Sequence, residues 1–152
     1  MSKKKIAILL PYKENYTNNS AGAASIWLKD YIKKSKLYNQ TRIYGNIETK
    51  EKPLTQNFIN IPLNKFFLSK TKSYMDYFYK EHIRNNYEII EIHNRPEYLK
   101  YLIKKKVDAK FLFFFHNNPL VIKGSKTIKE RNTLLEYAHK IFFVSKWVKD
   151  KF

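Results

Sequence analysis

The sequence contains no cysteine, which excludes disulfide bonds and cysteine-ligated metal sites. It also lacks long apolar runs, since none approaches the roughly 20 residues that span a bilayer. The basic start, residues 1–5, is followed by an apolar stretch at 6–10 that is too short for the core of a signal peptide. These absences make the cytoplasm the expected location.

Glycine is scarce, with three residues in 152, and no G-x-G-x-x-G follows the first apolar run. Ordinary dinucleotide binding is therefore weakly supported. The sequence also lacks a Walker phosphate loop, an H-E-x-x-H zinc motif and a carboxylate cluster that could cage a metal. No acidic pair stands out for glycoside hydrolysis. We accordingly expect neither a metal ion nor a cofactor.

Acidic residues are few: 13 Asp and Glu stand against 30 Lys and Arg, for a net charge of +17. Such a field attracts polyanions, of which nucleic acid and the anionic leaflet of a membrane are the obvious candidates. A lysine-rich composition could equally produce a solvated basic surface without a partner. The 43% share of apolar residues is enough for a packed core, and the length fits one domain.

Short apolar runs alternate with helical patterns along the chain. The patterns predict strands at 5–10, 41–44, 58–61, 87–92, 111–115 and 141–144, and helices at 21–35, 71–85 and 128–138 with two more beginning at 96 and 146. Residues 46–57 fit no element. This alternation favours a single Rossmann-like, three-layer α/β domain with a mostly parallel sheet and helices on both faces.

Helical spacing also predicts which side chains face the core. The expected inner faces are Ala24, Trp27, Leu28 and Tyr31; Tyr74, Met75, Phe78 and His82; Leu99, Leu102 and Ile103; and Ile128, Leu134 and Leu135. Thr127 and Glu130 have the spacing of a capping box, and Ser145 can cap the last helix. The sequence stops roughly two turns into that helix, so we expect a fragment or a protein with a missing second half.

Polar residues follow three of the predicted strands. His93, Asn94 and Arg95 follow the fourth, His116 and Asn117 the fifth, and Ser145 the last. Ligands of open α/β sheets bind beyond the carboxyl ends of the strands, so these residues are candidates for a binding site. A histidine at a strand end can instead bond only to nearby backbone, and Ser145 can be only a helix cap.

Three segments in this order and spacing resemble the family 4 glycosyltransferases of GT-B fold. They are IIEIHNRP at 89–96, FHNNP at 115–119 and FVSKWV at 143–148. In that family one strand ends near a histidine, the next ends in His-Asp or His-Asn, and a Val-Ser strand leads into a helix. The resemblance covers nearly the whole chain.

The resemblance assigns roles to individual positions. His116 matches the residue that reaches the donor sugar, and Asn117 matches the position after it. Gly22 and Ala23 match a Gly-Gly loop that approaches the donor phosphates and the acceptor, although Ala23 replaces the second glycine and makes close backbone approach doubtful there. His93, Asn94 and Arg95 match a strand end facing the acceptor, and Ser145 matches the serine of the Val-Ser motif.

The resemblance therefore implies that 1–152 is the acceptor-side N-terminal domain of an enzyme whose donor-binding C-terminal domain is absent. Such an enzyme moves a hexose from a nucleotide sugar to a glycan or lipid-linked acceptor, as in lipopolysaccharide or capsule synthesis, with retention of configuration. This chain is expected to be inactive by itself. No specific nucleic-acid partner is implied.

Many enzymes of this fold dock on the inner face of the membrane, and residues 65–80 mix lysines with aromatics in a way that suits such an interface. The residues concerned are Lys65, Lys70, Lys72, Lys80, Phe66, Phe67, Tyr74 and Tyr77. Two other functions stay open: a basic Rossmann-like module that binds nucleic acid or an anionic membrane, and a non-catalytic partner protein with a degenerate sugar site.

Overall fold

The computed structural model describes residues 5–64, 66 and 68–152. Their strands form a single parallel sheet in the order β3-β2-β1-β4-β5-β6. The strands are β1 (Ile6–Leu9), β2 (Thr41–Gly45), β3 (Phe58–Asn60), β4 (Ile89–His93), β5 (Lys110–Phe115) and β6 (Lys140–Phe143). This is the strand order of the Rossmann fold, so the predicted α/β class is confirmed.

Four α-helices connect the described strands, and a fifth follows β6. They are α1 (Ala23–Lys34), α2 (Lys70–Asn85), α3 (Pro96–Lys104), α4 (Ile128–Tyr137) and α5 (Lys146–Asp150). Short 3-10 helices lie at Tyr38–Gln40 and Pro119–Val121. The predicted bounds differ from these by one or two residues at most ends, as expected where helix ends fray.

Each face of the sheet has its own apolar core, because alternate residues of a strand point to opposite faces. Leu28 and Ile32 of α1 pack on one face against Ile6 and Ile8 of β1. The other four helices pack on the opposite face, where Phe78, Leu102, Leu134 and Val148 join Ala7, Leu9, Phe113 and Phe115. The prediction of helices on both faces is thus confirmed.

Local sequence signals account for where several helices begin. Pro96 occupies the first turn of α3, where its missing N–H costs nothing, and Glu97 complements the positive helix end. Thr127 and Glu130 form the predicted capping box of α4. The Ser145 side chain accepts a hydrogen bond from the Val148 N–H, so its predicted capping role is confirmed.

Two predicted helix faces are partly wrong. In α4 only Leu134 is buried, whereas Ile128 and Leu135 are 70% and 61% exposed. In α1 the buried stripe is Ala24, Ser25, Leu28 and Ile32, which leaves Trp27 and Tyr31 partly exposed. Both helices pack through a narrow stripe, and periodicity alone does not say how wide the covering surface is.

The unassigned segment, residues 46–57, packs against the loop after β1. The Leu54 N–H donates to the Tyr16 carbonyl, and the Tyr16 ring stacks on Phe58 at 5.4 Å between centroids. Thr17 and Pro53 form an isolated antiparallel bridge. These contacts fix the start of the β1–α1 loop on the side of the sheet that α1 covers.

The order in which strands are added to the sheet reverses between β1 and β4, which are neighbours in the sheet although β2 and β3 separate them in sequence. The loop after β1 leads to α1 on one face, and the turn after β4 leads to α3 on the other. The two connections diverge and leave a crevice at the carboxyl ends of the strands. A crevice at this switch point is where open α/β sheets bind ligands.

Candidate functional site

Two histidines meet at the carboxyl edge of the sheet. His93 is the last residue of β4, and His116 follows the end of β5, its neighbour in the sheet. The His93 Nδ1 lies 2.8 Å from the His116 Nε2, which is a hydrogen-bond distance, and the two rings stack with centroids 5.0 Å apart. One of these nitrogens must donate and the other accept.

The two rings differ in exposure. His93 is completely buried, while His116 is partly exposed. Burial lowers the pKa of His116 to about 4, and the charge on a protonated His93 lowers that pKa as well. His116 is therefore a neutral imidazole at pH 7, and a neutral ring carries one N–H and one lone pair.

A buried carboxylate lies behind the pair. Glu91 is 4% exposed and precedes His93 by two residues, so both side chains lie on the same face of β4. The Glu91 Oε2 is 3.8 Å from the His93 Nε2, and neither atom has another hydrogen-bond partner among the described residues. Buried charges are normally paired, which makes His93 the natural partner of Glu91.

Asn94 holds the turn between β4 and α3. Its φ of 52° lies in the left-handed region, which asparagine tolerates better than most residues. The Asn94 N–H donates to the Phe114 carbonyl, and its side-chain Oδ1 accepts the His116 N–H at 2.8 Å. Asn94 thereby ties the residue after β4 to the residue after β5 and fixes the backbone of His116.

Trp27 covers both histidines from the α1 side. Its ring centroid lies 5.3 Å from that of His116 in an edge arrangement and 6.1 Å from that of His93. On its other side Trp27 stacks on Tyr31 at 5.2 Å. The tryptophan is 37% exposed, so part of its ring is available to a ligand.

Glu14 occupies the N-terminus of α1. One of its carboxylate oxygens accepts from both the N–H and the hydroxyl of Ser25, at 3.2 and 2.9 Å. A carboxylate is stabilised at this positive helix end, where a ligand phosphate often binds. A Cβ at Gly22 would lie 2.7 Å from the Glu14 Oε1, so a larger residue there would make the Glu14 carboxylate shift.

These groups surround an open cavity of about 350 Å³. Its walls are formed by Glu14, Ala23, Ala24, Trp27, Asn94, His116, Asn117 and Val144. Four of the sequence-predicted site residues are therefore brought together: Ala23, Asn94, His116 and Asn117. The cavity offers a carboxylate, two amides, an imidazole and an aromatic ring.

The other predicted site residues lie outside the cavity walls. His93 is behind His116, and Gly22 is pressed against Glu14. The Arg95 guanidinium lies 5.2 Å from the centre of the Tyr12 ring, and Ser145 is exposed at the start of α5. The roles that the resemblance gives to these residues stay predictions.

Sequence reasoning missed three residues of the site. Helical periodicity predicts a core position for Trp27, which lines the cavity instead. Glu14 belongs to a polar loop in which no spacing distinguishes it from its neighbours. Glu91 had a usable signal: a carboxylate inside an apolar strand is costly to bury and calls for a partner. Its spacing of two from His93 then gives the pairing.

The predicted membrane interface at 65–80 is only partly described, because Lys65 and Phe67 lie outside the described residues. Tyr74 is fully buried, so it belongs to the core and that part of the prediction is wrong. Phe66 and Leu68 are almost fully exposed, and Lys70 and Lys80 on the helix that follows are exposed as well. No helix in the described part of the chain is long and apolar enough to cross a membrane.

The fold and the site together define a class: a Rossmann-like domain like one half of the GT-B fold, with an open cavity at its switch point. No family model and no curated protein sequence matches the chain. Among solved structures the chain is similar to a sucrose-phosphate synthase from Thermosynechococcus elongatus, with a TM-score of 0.63 and 10% identity. At that identity the likeness shows the fold alone.

That likeness covers 91% of this chain but only 41% of the synthase chain. The described domain therefore spans less than half the length of the protein that it is similar to.

Proposed function

We propose that this chain is the acceptor-side domain of a glycosyltransferase of GT-B fold, similar to family 4, in which His116 contacts the transferred hexose. The enzyme would take the hexose from a nucleotide sugar and add it, with retention, to a glycan or lipid-linked acceptor of the cell surface. The observation that carries the proposal is the neutral His116 at the wall of a cavity shared with Asn94, Asn117 and Trp27.

The chemistry of this cavity suits a sugar. A hexose presents hydroxyl groups that both donate and accept hydrogen bonds, and the imidazole, the two amides and the Glu14 carboxylate can answer both kinds. The exposed part of Trp27 offers an apolar surface to the C–H face of a sugar ring. Concave sites with a few convergent polar groups are typical of small-ligand recognition.

The same cavity is poorly suited to a diphosphate. None of the eight described residues that line it is lysine or arginine, and Glu14 already fills the positive end of α1. Glycosyl transfer needs an electrostatic partner for the departing nucleoside diphosphate. We propose that a second domain supplies this partner, and that purified chain given nucleotide sugar and acceptor shows no transfer above the rate without protein.

A two-dimensional amide NMR titration tests the sugar contact. A panel of UDP-hexoses should shift the amides of Asn94, His116 and Asn117, while UDP alone should not. His116→Ala should abolish the shifts caused by the hexose. His139→Ala is the matched control, because His139 is exposed just before β6 and away from the cavity. Cavity shifts of equal size with UDP, or none with any hexose, would refute the proposal.

The charge of the chain supports a second candidate, a basic module that binds an anionic surface, which would also place the protein at the inner face of the membrane. The net charge is +17, and the fully exposed Phe66 and Leu68 lie next to Lys70. Such a module should co-sediment with anionic vesicles and not with neutral ones, and less so as salt rises. Steeply salt-dependent binding to duplex DNA instead would favour nucleic acid.

A further inference from the structure

A line of three ionisable side chains runs from the interior of the sheet to the cavity: Glu91, His93 and His116. The Glu91 Oε2 lies 3.8 Å from the His93 Nε2, and the His93 Nδ1 lies 2.8 Å from the His116 Nε2. Only His116 lines the cavity, since Glu91 is 4% exposed and His93 is not exposed at all. The two buried groups can therefore act on a ligand only through His116.

We infer that Glu91 and His93 are positioning residues that fix which nitrogen of His116 carries its proton, so that the unprotonated His116 Nδ1 is presented to the ligand. This inference rests on the proposed function only for the identity of that ligand. The arrangement itself is a property of the unliganded chain.

The first step of the argument concerns Glu91. An ionised carboxylate accepts hydrogen bonds and cannot donate them. A proton on the His93 Nε2 is therefore favoured, because a lone pair there would face the carboxylate at 3.8 Å with no partner for either group. A small rotation of either side chain would bring the two atoms within hydrogen-bond distance.

The second step follows from the chemistry of a neutral imidazole. With its proton on Nε2, His93 has a lone pair on Nδ1, and the 2.8 Å contact must then be donated by the His116 Nε2–H. The His116 Nδ1 is left as a hydrogen-bond acceptor. Rotation of the His116 ring is restricted, because the Trp27 ring centroid lies 5.3 Å from the His116 ring centroid and Asn94 fixes the His116 backbone.

A third observation agrees with this order. Burial and the charge of a protonated His93 both lower the pKa of His116. His116 therefore stays neutral at pH 7 and keeps one ring nitrogen as an acceptor. An acceptor nitrogen at the cavity wall selects ligand groups that donate, such as hydroxyls, over phosphate oxygens that only accept.

The test is long-range ¹H–¹⁵N NMR of the histidine rings in the unliganded chain at neutral pH, which reports which nitrogen carries the proton. In the wild type the His116 Nε2 should be protonated and its Nδ1 unprotonated. In Glu91→Met, which removes the charge and both carboxylate oxygens at a similar side-chain volume, the two His116 resonances should move toward each other, as a mixture of tautomers gives. Glu88→Met, an exposed change just before β4, is the matched control and should leave both resonances in place.

A protonated Nδ1 in the wild type would overturn the inference, and so would an unchanged His116 in Glu91→Met. If Glu91→Met does not give a folded spectrum, His93→Phe tests the same claim, because Phe fills the ring volume but cannot accept the His116 proton. Unaltered His116 resonances in that variant would likewise overturn it. No sugar is added in this experiment. The effect of Glu91 and His93 on the His116 proton can therefore be confirmed even if the chain fails to bind a hexose.

Discussion

The dipeptide His-Asn occurs at the ends of two neighbouring strands, yet the two copies differ in burial and in structural role. His93 and Asn94 lie at the end of β4, where the ring is completely buried and the asparagine adopts a φ of 52°. His116 and Asn117 follow β5, where both side chains line the cavity. His93 lies behind the cavity wall and supports His116, whereas His116 lines the cavity together with both asparagines. Identical residue types at equivalent strand ends are thus separated by their depth in the fold.

Truncation of each histidine in turn should give the largest difference in stability. His93→Ala should lower the free energy of unfolding by about 2–4 kcal/mol, since it opens a cavity beneath Trp27 and Phe114 and leaves Glu91 without a partner. His116→Ala should cost about 1 kcal/mol or less. Urea denaturation measures both values. Equal losses would show that the two rings are equally structural.

Acid tests whether His116 is held neutral in the folded chain. The pKa of His116 is lowered from 6.5 to about 4 in the folded chain, so the unfolded chain binds more protons at this site between those two values. The free energy of unfolding should therefore fall as the pH drops through that window. Each unit by which the folded pKa lies below the unfolded pKa corresponds to about 1.4 kcal/mol of that loss. Burial also lowers the pKa of His82, which adds a contribution of the same sign.

Urea midpoints of the wild type and of His116→Gln, at about pH 7 and about pH 5, measure the His116 share. The variant should lose less stability on acidification than the wild type does. An identical loss in both proteins would mean that His116 titrates normally and is not held neutral by its surroundings.

The two asparagines give the smallest contrast. Asn94→Ala removes the hydrogen bond to the His116 N–H and places alanine at a left-handed φ, which should cost about 1–2 kcal/mol. Asn94→Gly should recover the part due to backbone strain. Asn117→Ala, at an exposed position, should change thermal stability by about 0.5 kcal/mol or less. If Asn117→Ala lost as much stability as Asn94→Ala, the conclusion that only Asn94 holds the backbone of the site would be contradicted.

Much of the fold follows from sequence patterns, because strands buried on both faces read as apolar runs and helix caps carry their own signals. The positions of β4 and β5, and hence of His93 and His116, come from such runs. Their pairing in the sheet brings the two rings together, and this too follows from a Rossmann strand order. The sequence pattern places both histidines at the carboxyl edge of a parallel sheet, and the strand order of the structure makes their two strands neighbours.

How deeply each histidine is buried could not be predicted from the sequence in the same way. Nothing in the dipeptide tells that His93 is completely buried while His116 stays partly exposed although Trp27 contacts both rings, since that depends on where α1 crosses the sheet. The helical pattern of α1 likewise leaves Trp27 indistinguishable from a core residue. Glu14 reaches the helix end through a loop whose path has no periodic signal. Tertiary placement of one helix and one loop thus decides which predicted residues form the cavity.

Trp27 offers the most direct measurement of the central claim, that this cavity receives a hexose. The chain has two tryptophans, and Trp147→Phe removes the one on α5, so that the remaining fluorescence reports on the cavity wall. Titration of this variant with a panel of hexose 1-phosphates should change the Trp27 emission for at least one member, and His116→Ala should abolish that change. Inorganic phosphate should have no effect. A response to phosphate as large as that to every hexose 1-phosphate, or none to any of them, would contradict the account.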